Sequence, residues 1–371
     1  MPSSLVVQVA TIDKLLPHPN ADRLEIAHVL GWQCILPKAQ HTAGEKVVYF
    51  PPDTMIPKSW SDTFGVTQYL SFKKSDPDYG RIRCARLRGE PSFGLVVACP
   101  SDKLAVGDDV AAFYSAKKWE PPVRTGAGNA ASVHPAFIQY TGIENLRNFP
   151  GILQPDEEVV ITEKIHGTNC RVGFVEARPQ DLGEDSLMED DGFMWVAGSH
   201  RVRRKPPEEP RKKHETLYWY PLSLDPVNQM LAHLRAEGHK QVVLFGEVYG
   251  NRVQGGFPYD TGQKLGFRAF DLFVDGSYLD YDDLVEVLWG FEMPMVPTLY
   301  RGPFSMEVVS TVCNGSCTLE GSSILSEDTI MEGGVVRPVV ERTDPKIGRV
   351  VLKYLSDRYL LKDKKSDFKE E

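Results

Sequence analysis

The run Val160-Ile161-Thr162-Glu163-Lys164-Ile165-His166-Gly167-Thr168-Asn169 sets one lysine at the end of an apolar, β-branched stretch and follows it at once with a small-residue turn. A protonated amine is a poor nucleophile, but desolvation or a neighbouring cation lowers its pKa and frees the lone pair. A strand that ends in a glycine turn can hold such an amine at the floor of a pocket, with backbone N–H groups free to meet a phosphate. The chemistry suggested is nucleophilic attack by Lys164 beside a bound phosphate. The competing reading is an ordinary strand-turn with a surface lysine.

The elements that must position this lysine divide the 371 residues into two domains, because single cores usually stop growing before that size. Residues 1–115 read as short β segments between turn residues: Val6–Ala10, Leu24–Val29, Lys46–Phe50, Arg81–Ala85 and Gly94–Val97. Several short strands in that length suggest a small β-barrel. Residues 116–134, rich in Pro, Gly, Ala and Asn, read as a linker. Residues 135–360 mix strands with helices at Pro226–Glu237 and Tyr281–Trp289, where apolar residues recur at three and four. The expected class there is α+β on antiparallel sheets. Residues 361–371 form a charged tail with almost nothing to bury.

Composition narrows the field. No run approaches the roughly 18 apolar residues of a membrane span, and Met-Pro-Ser-Ser lacks the basic-then-apolar order of a secretory signal. The six scattered cysteines suggest a reducing compartment, so an intracellular place, cytoplasmic or nuclear, is expected. Cys313 and Cys317 lie four apart with no second pair, which favours free thiols over zinc. A net charge of −9 argues against a protein whose whole surface binds polyanions. A local basic strip is still compatible with that total, since Arg201, Arg203, Arg204, Lys205, Arg211, Lys212 and Lys213 cluster beside an acidic run. The bland reading of that region is a solvated loop of mixed charge.

Glu163-Lys164-Ile165-His166-Gly167-Thr168-Asn169 resembles motif I of the covalent nucleotidyltransferases, in the form found in RNA ligases. Further stretches resemble later motifs in the family's order. Ser199-His200-Arg201 is similar to an element whose arginine, Arg201 here, meets phosphate. Phe245-Gly246-Glu247 resembles motif III, whose glutamate touches ribose. In Phe267-Arg268-Ala269-Phe270-Asp271-Leu272-Phe273, similar to motif IIIa, Phe270 would stack on adenine while Phe267 and Phe273 belong to the core. Glu332-Gly333-Gly334-Val335 resembles motif IV, and Glu332 would hold a divalent cation. Arg349-Val350-Val351-Leu352-Lys353-Tyr354-Leu355 resembles motif V, with Lys353 toward the α-phosphate. Relatives often carry a second lysine where this chain has Leu355; Lys362 is a candidate substitute. His18, in Leu16-Pro17-His18-Pro19-Asn20, lies in a segment resembling OB barrels of tRNA-binding modules, and is read as a turn residue.

The resemblance implies an N-terminal OB-like barrel followed by an adenylyltransferase domain with an ATP-grasp-like antiparallel sheet. It implies an ATP-dependent RNA ligase with magnesium or manganese, sealing 3′-hydroxyl/5′-phosphate nicks through a lysyl–AMP intermediate at Lys164 and an adenylylated 5′ end. Glu163, Ile165, His166, Gly167 and Asn169 would join Arg201, Glu247, Phe270 and Lys353 around the nucleotide. The expected partner is a nicked RNA or RNA-containing duplex, with no membrane, and the protein is expected to be a monomer. One alternative is an mRNA guanylyltransferase, which labelling by GTP rather than ATP would mark. The other is a non-catalytic tRNA- or nucleic-acid-binding adaptor, which would form no nucleotide adduct at all.

Overall fold

A computed structural model of the chain describes residues 5–119, 130–178, 187–188, 192–207, 217–250, 253, 259, 264–319, 330–361 and 367–368. The chain divides into two compact units: Met1–Val123 with Glu144–Ile152 and Asp357–Glu371, and Arg124–Ile143 with Leu153–Ser356.

In the first unit the strand Lys46–Phe50 lies between Gln8–Thr11 and Leu95–Ala98, antiparallel to both. Its two faces are both buried. Val47 and Tyr49 join a cluster with Trp32, Phe93 and Val96, whereas Val48 and Phe50 join Val9, Ile56, Ile82 and Tyr114. Leu24–Val29 and Trp32–Pro37 form a hairpin around Leu30 and Gly31, both at positive φ, which is the turn whose twist matches a two-residue hairpin loop. Backbone bonds from Phe93 N to Gln33 O (2.8 Å) and from Asp13 N to His28 O (2.8 Å) tie this hairpin to the segments flanking the first sheet. Gly94, at φ +92°, is required because a Cβ there would strike the Phe50 carbonyl.

Two of the expected strands, Leu24–Val29 and Lys46–Phe50, have the observed bounds. Arg81–Ala85 is not one strand. The chain there leaves Asp76–Arg81, buries Ile82 and Cys84 on its way, and starts again at Ala85–Leu87. Lys117–Lys118, inside the expected linker, is a strand paired with Thr54–Pro57. Asp367–Phe368, inside the expected tail, pairs parallel to Ala85–Leu87. His18 is a turn clamp: its Nδ1 accepts from Asn20 N (3.0 Å), so Nε2 carries the proton it donates to Leu87 O (3.1 Å).

The second unit is α+β, built on two antiparallel sheets. One carries Phe193–Ser199, Thr168–Glu176, Gln241–Gly250 and Leu265–Val274 in that order; the other carries Leu352–Leu355, Gly333–Pro338, Glu158–Glu163 and Thr298–Pro303. Helix Asp225–Ala236 buries Val227, Met230, Leu231 and Leu234, one face at the i, i+3, i+4, i+7 spacing. It packs with Leu284 and Leu288 of helix Tyr281–Gly290 on Val172, Phe174, Val242 and Leu244. Each such side chain contributes about 1.5–3 kcal/mol of burial. Helix Met306–Cys313 buries Val309 and Cys313, and its Ser310 meets Tyr354 OH (3.1 Å). Both Cys313 and Cys317 are buried, and neither is in a disulfide. Among the described residues, no helix is long and apolar enough to cross a membrane.

Candidate active site

Lys164 follows the last residue of Glu158–Glu163, and its N–H donates to Gly333 O (2.9 Å). Four residues later Thr168 opens a strand of the other sheet, so the turn Lys164–Gly167 crosses between the sheets. Gly167 sits where a Cβ would meet the Val248 carbonyl, and its N–H donates to Glu247. His166 N donates to Tyr259 OH (2.8 Å). The crossing leaves a cavity of about 350 Å³, within the range of small-molecule sites.

Glu332 anchors this turn. Its Oε1 lies 2.6 Å from Lys164 Nζ and its Oε2 2.9 Å from His166 Nδ1, and its side chain is buried. Burial works to raise this carboxyl, but the Lys164 ammonium and hydrogen bonds from His166 and Lys164 outweigh it and hold it below the usual carboxylate range. Glu247 goes the other way. Burial pushes it up to about 8, helped by the charge of Glu332 and opposed by Lys164 and the Gly167 N–H. Two carboxyls near one lysine are thus driven apart in acidity, the pattern of a working site.

Phe270 reaches the cavity through a bulge. Phe245 pairs with Asp271 and Gly246 with Ala269, so Phe270 is the extra residue, and a bulge re-aims a side chain. Phe267 and Phe273 are buried, as expected of core residues. Glu163, Ile165, Asn169, Glu247, Phe270 and Lys353 all line the cavity with Lys164, whereas His166 and Gly167 shape the turn beside it. The Glu163 carboxylate is occupied elsewhere, accepting from Thr318 N (2.8 Å) and Oγ1 (2.6 Å). Lys353 pairs in register with Val335, and Leu355 with Gly333. Lys362 lies outside the described residues.

Arg201 is exposed and is not brought to the cavity; His200, beside it, is. A tight turn, closed by Ser199 N to Val202 O (2.9 Å), makes this exchange. Burial, with Arg201 and Arg171 nearby, keeps the His200 imidazole below its ordinary pKa. The basic strip is only partly a surface: Arg203 is buried and donates to Ser132 O (3.1 Å), and Arg204 stacks on Tyr218. Arg211, Lys212 and Lys213 lie outside the described residues.

Sequence reasoning missed Tyr140, Arg337 and Arg171. Tyr140 OH donates to Asp271 Oδ2 (2.9 Å) and its ring meets Phe270 edge-on at 5.0 Å. Asp271, fully buried, also pairs with Arg337 (3.3 Å) and Arg349 (2.7 Å), and both arginines are held by Glu341. Arg171 donates to the carbonyls of Phe137 and Ser199, securing two segments that flank the cavity. The available signal was the arginine in Glu332-Gly333-Gly334-Val335-Val336-Arg337; Tyr140 and Arg171 had none.

The RNA ligase family model matches residues 157–355, more than half of the chain. The chain belongs to the RNA ligase family. An OB-fold domain model matches residues 6–99, which places an OB-fold domain before the ligase domain. No curated protein matches the chain. Among solved structures, Naegleria gruberi RNA ligase with PPi is 23% identical, covering 97% of this chain and 98% of that chain at TM-score 0.68. A lysine-to-alanine variant of the same protein with ATP and Mn is 22% identical, covering 96% and 98% at TM-score 0.69. At these identities the likeness speaks for the fold alone, and it agrees with an OB domain followed by the RNA ligase domain that carries the Lys164 cavity.

Proposed function

We propose that the chain is an ATP-dependent RNA ligase that seals 3′-hydroxyl/5′-phosphate nicks in RNA-containing duplexes through a Lys164–AMP intermediate. The observation that carries the reading is the Lys164 amine, set in a cavity with a paired carboxylate (Glu332), a second cation (Lys353) and an out-turned aromatic (Phe270). Adenine would stack on Phe270 and the ribose would meet Glu247. Lys353 would face the α-phosphate, where a fixed ammonium acts as a point charge.

Lys164 Nζ, having shed a proton, attacks the α-phosphorus; the P–N bond forms as the bond to pyrophosphate breaks. The AMP then passes to a 5′-phosphate, freeing Lys164. A 3′-hydroxyl attacks the activated end, the phosphodiester forms, and AMP leaves. Splitting one difficult joining into activated stages lowers each barrier, and charge control at phosphorus dominates the demand on the protein.

The residues fit a magnesium or manganese ion. Asn169 Oδ1 is buried without a hydrogen-bond partner, and the carboxyls of Glu332 and Glu247 stand near the same lysine. One or two carboxylates with substrate phosphates are the usual holders of magnesium, and Glu332 would serve as that carboxylate. Such an ion supplies positive charge at the reacting phosphate.

The test is incubation with α-labelled ATP or GTP and magnesium or manganese, followed by denaturing electrophoresis. ATP should label the protein, Lys164→Ala should abolish the label, and Glu332→Ala should remove most of it. Labelling by GTP alone would favour a guanylyltransferase; no label under any condition would favour the adaptor.

A further inference from the structure

Helix Tyr281–Gly290 carries two unlike stripes. Tyr281, Leu284 and Leu288 are buried in the core of the second unit. Asp282, Val285, Glu286 and Trp289 follow the i, i+3, i+4, i+7 spacing on the other side and line a hollow of about 530 Å³ with Gly290. Trp289 is 78% exposed, against 58% for Phe113, the other aromatic side chain left so open among the described residues. Helix propensity does not ask for a tryptophan there. Its rings, left in water, forgo the burial that such a side chain usually gains.

The charge around this indole has one sign. Residues 280–292 include Asp280, Asp282, Asp283, Glu286 and Glu292 and neither lysine nor arginine. Arg301 reaches this side but is already shared. Its Nη1 and Nη2 lie 2.5 and 3.0 Å from the Asp282 carboxylate, and its Nε lies 3.0 Å from Glu158. Asp283 and Glu286 have no ion pair among the described residues. The last turn of the helix holds no basic residue, so the partial negative charge of its C-terminus, beside Trp289, is uncompensated. A ring face next to a carboxylate attracts a guanidinium, which lies over the one and donates to the other. The same charge repels RNA and anionic lipid.

We propose that this side of the helix docks an arginine-bearing segment of a partner protein, one guanidinium lying over Trp289 and bonding Glu286. Arginine suits the surface better than lysine, because its weakly hydrated plane stacks on a ring and its fork matches a carboxylate. Tyr281, on the buried stripe, lines the Lys164 cavity, whereas Trp289 and Glu286 do not. The partner therefore sits behind the cavity wall and leaves the cavity open. This surface goes beyond the ligase reading and does not depend on it.

The test follows the fluorescence anisotropy of a labelled peptide, arginines alternating with glycines, titrated with the full chain. The same peptide with citrulline for arginine keeps the shape and removes the charge. Wild type should bind the arginine peptide saturably, less tightly as salt rises, and the citrulline peptide about tenfold more weakly. Trp289→Ala should weaken binding about tenfold and Glu286→Gln about threefold, as loss of a cation–π contact and of an exposed ion pair does. Trp289→Phe, which keeps a smaller ring, should fall between wild type and Trp289→Ala. Glu307→Gln, an exposed carboxylate on helix Met306–Cys313, should bind as wild type does. All four variants should melt within about 2 °C of wild type, since they alter only the surface. Equal affinity for the two peptides, equal losses in Trp289→Ala and Glu307→Gln, or wild type that binds neither peptide would each overturn the proposal. Sedimentation velocity covers the remaining occupant: a dimer that Trp289→Ala dissolves would assign the face to a second copy of this chain and overturn it too.

Discussion

Asp271→Asn isolates what holds Phe270 in place. Asp271 is fully buried and serves three side chains at once: Tyr140 OH at 2.9 Å, Arg349 at 2.7 Å and Arg337 at 3.3 Å. Removing one partner of a buried ion pair costs about 3–5 kcal/mol, because the other charge stays buried. Here Glu341 keeps both guanidiniums partly compensated, and an Asn oxygen can still accept one bond. The lower figure, about 3 kcal/mol, is therefore expected. A unit of this size loses about 2–4 °C of melting temperature per kcal/mol, so its transition should fall by about 6–12 °C. Tyr140→Phe removes a single hydrogen bond and should cost about 1 kcal/mol. The double variant should cost less than the sum, because both changes act on one network. Calorimetry of the purified chain measures all three. A fall under about 2 °C for Asp271→Asn, or strict additivity with Tyr140→Phe, would refute the view that one carboxylate organises this wall of the cavity.

Gly246→Ala should overpack the strand beside the bulge, since a Cβ there meets the Phe267 ring and the Arg268 carbonyl; about 1–3 kcal/mol should be lost in denaturant titrations, and an unchanged midpoint would mean Phe267 yields freely. Glu157 provides a pH test. Burial raises its carboxyl, but Arg342, at 2.6 and 2.8 Å, outweighs this and leaves it depressed. A depressed folded pKa gives stability that is present above the unfolded value and is lost as pH falls through the folded one. Glu157→Gln should therefore melt lower than wild type at neutral pH, and the two curves should converge in acid below the usual glutamate range; a gap that stays constant with pH would deny the pair that role.

How legible the molecule is in its sequence depends on what each residue faces. The Lys164 turn is legible because its chemistry and its backbone demand agree: a terminal lysine, then a glycine whose place against Val248 and Glu247 leaves no room for a Cβ. Lys46–Phe50 shows as an apolar run but not as an alternation, since its two faces are buried in different clusters. Trp32–Pro37 escapes because its hairpin turn puts Leu30 at positive φ and carries no Asn-Gly signal.

The cavity shows the same division at single residues. Phe267 and Ala269 alternate into one core cluster, and an unbroken ladder would carry that face on through Asp271 and Phe273. Instead Leu272 joins the cluster of Phe267 and Ala269, while Phe273 joins the one formed by Phe245 and Phe137. The bulge at Phe270 exchanges the faces, and no pattern of apolar residues records it, because both sides of this strand are apolar. Nor does any local pattern explain a charge at Asp271, which survives burial because Arg337, Arg349 and Tyr140 arrive from distant parts of the chain. Residues that act through their own chemistry at a turn are read directly. Residues that act by neutralising a partner far along the chain become visible only once the fold has brought the partners together.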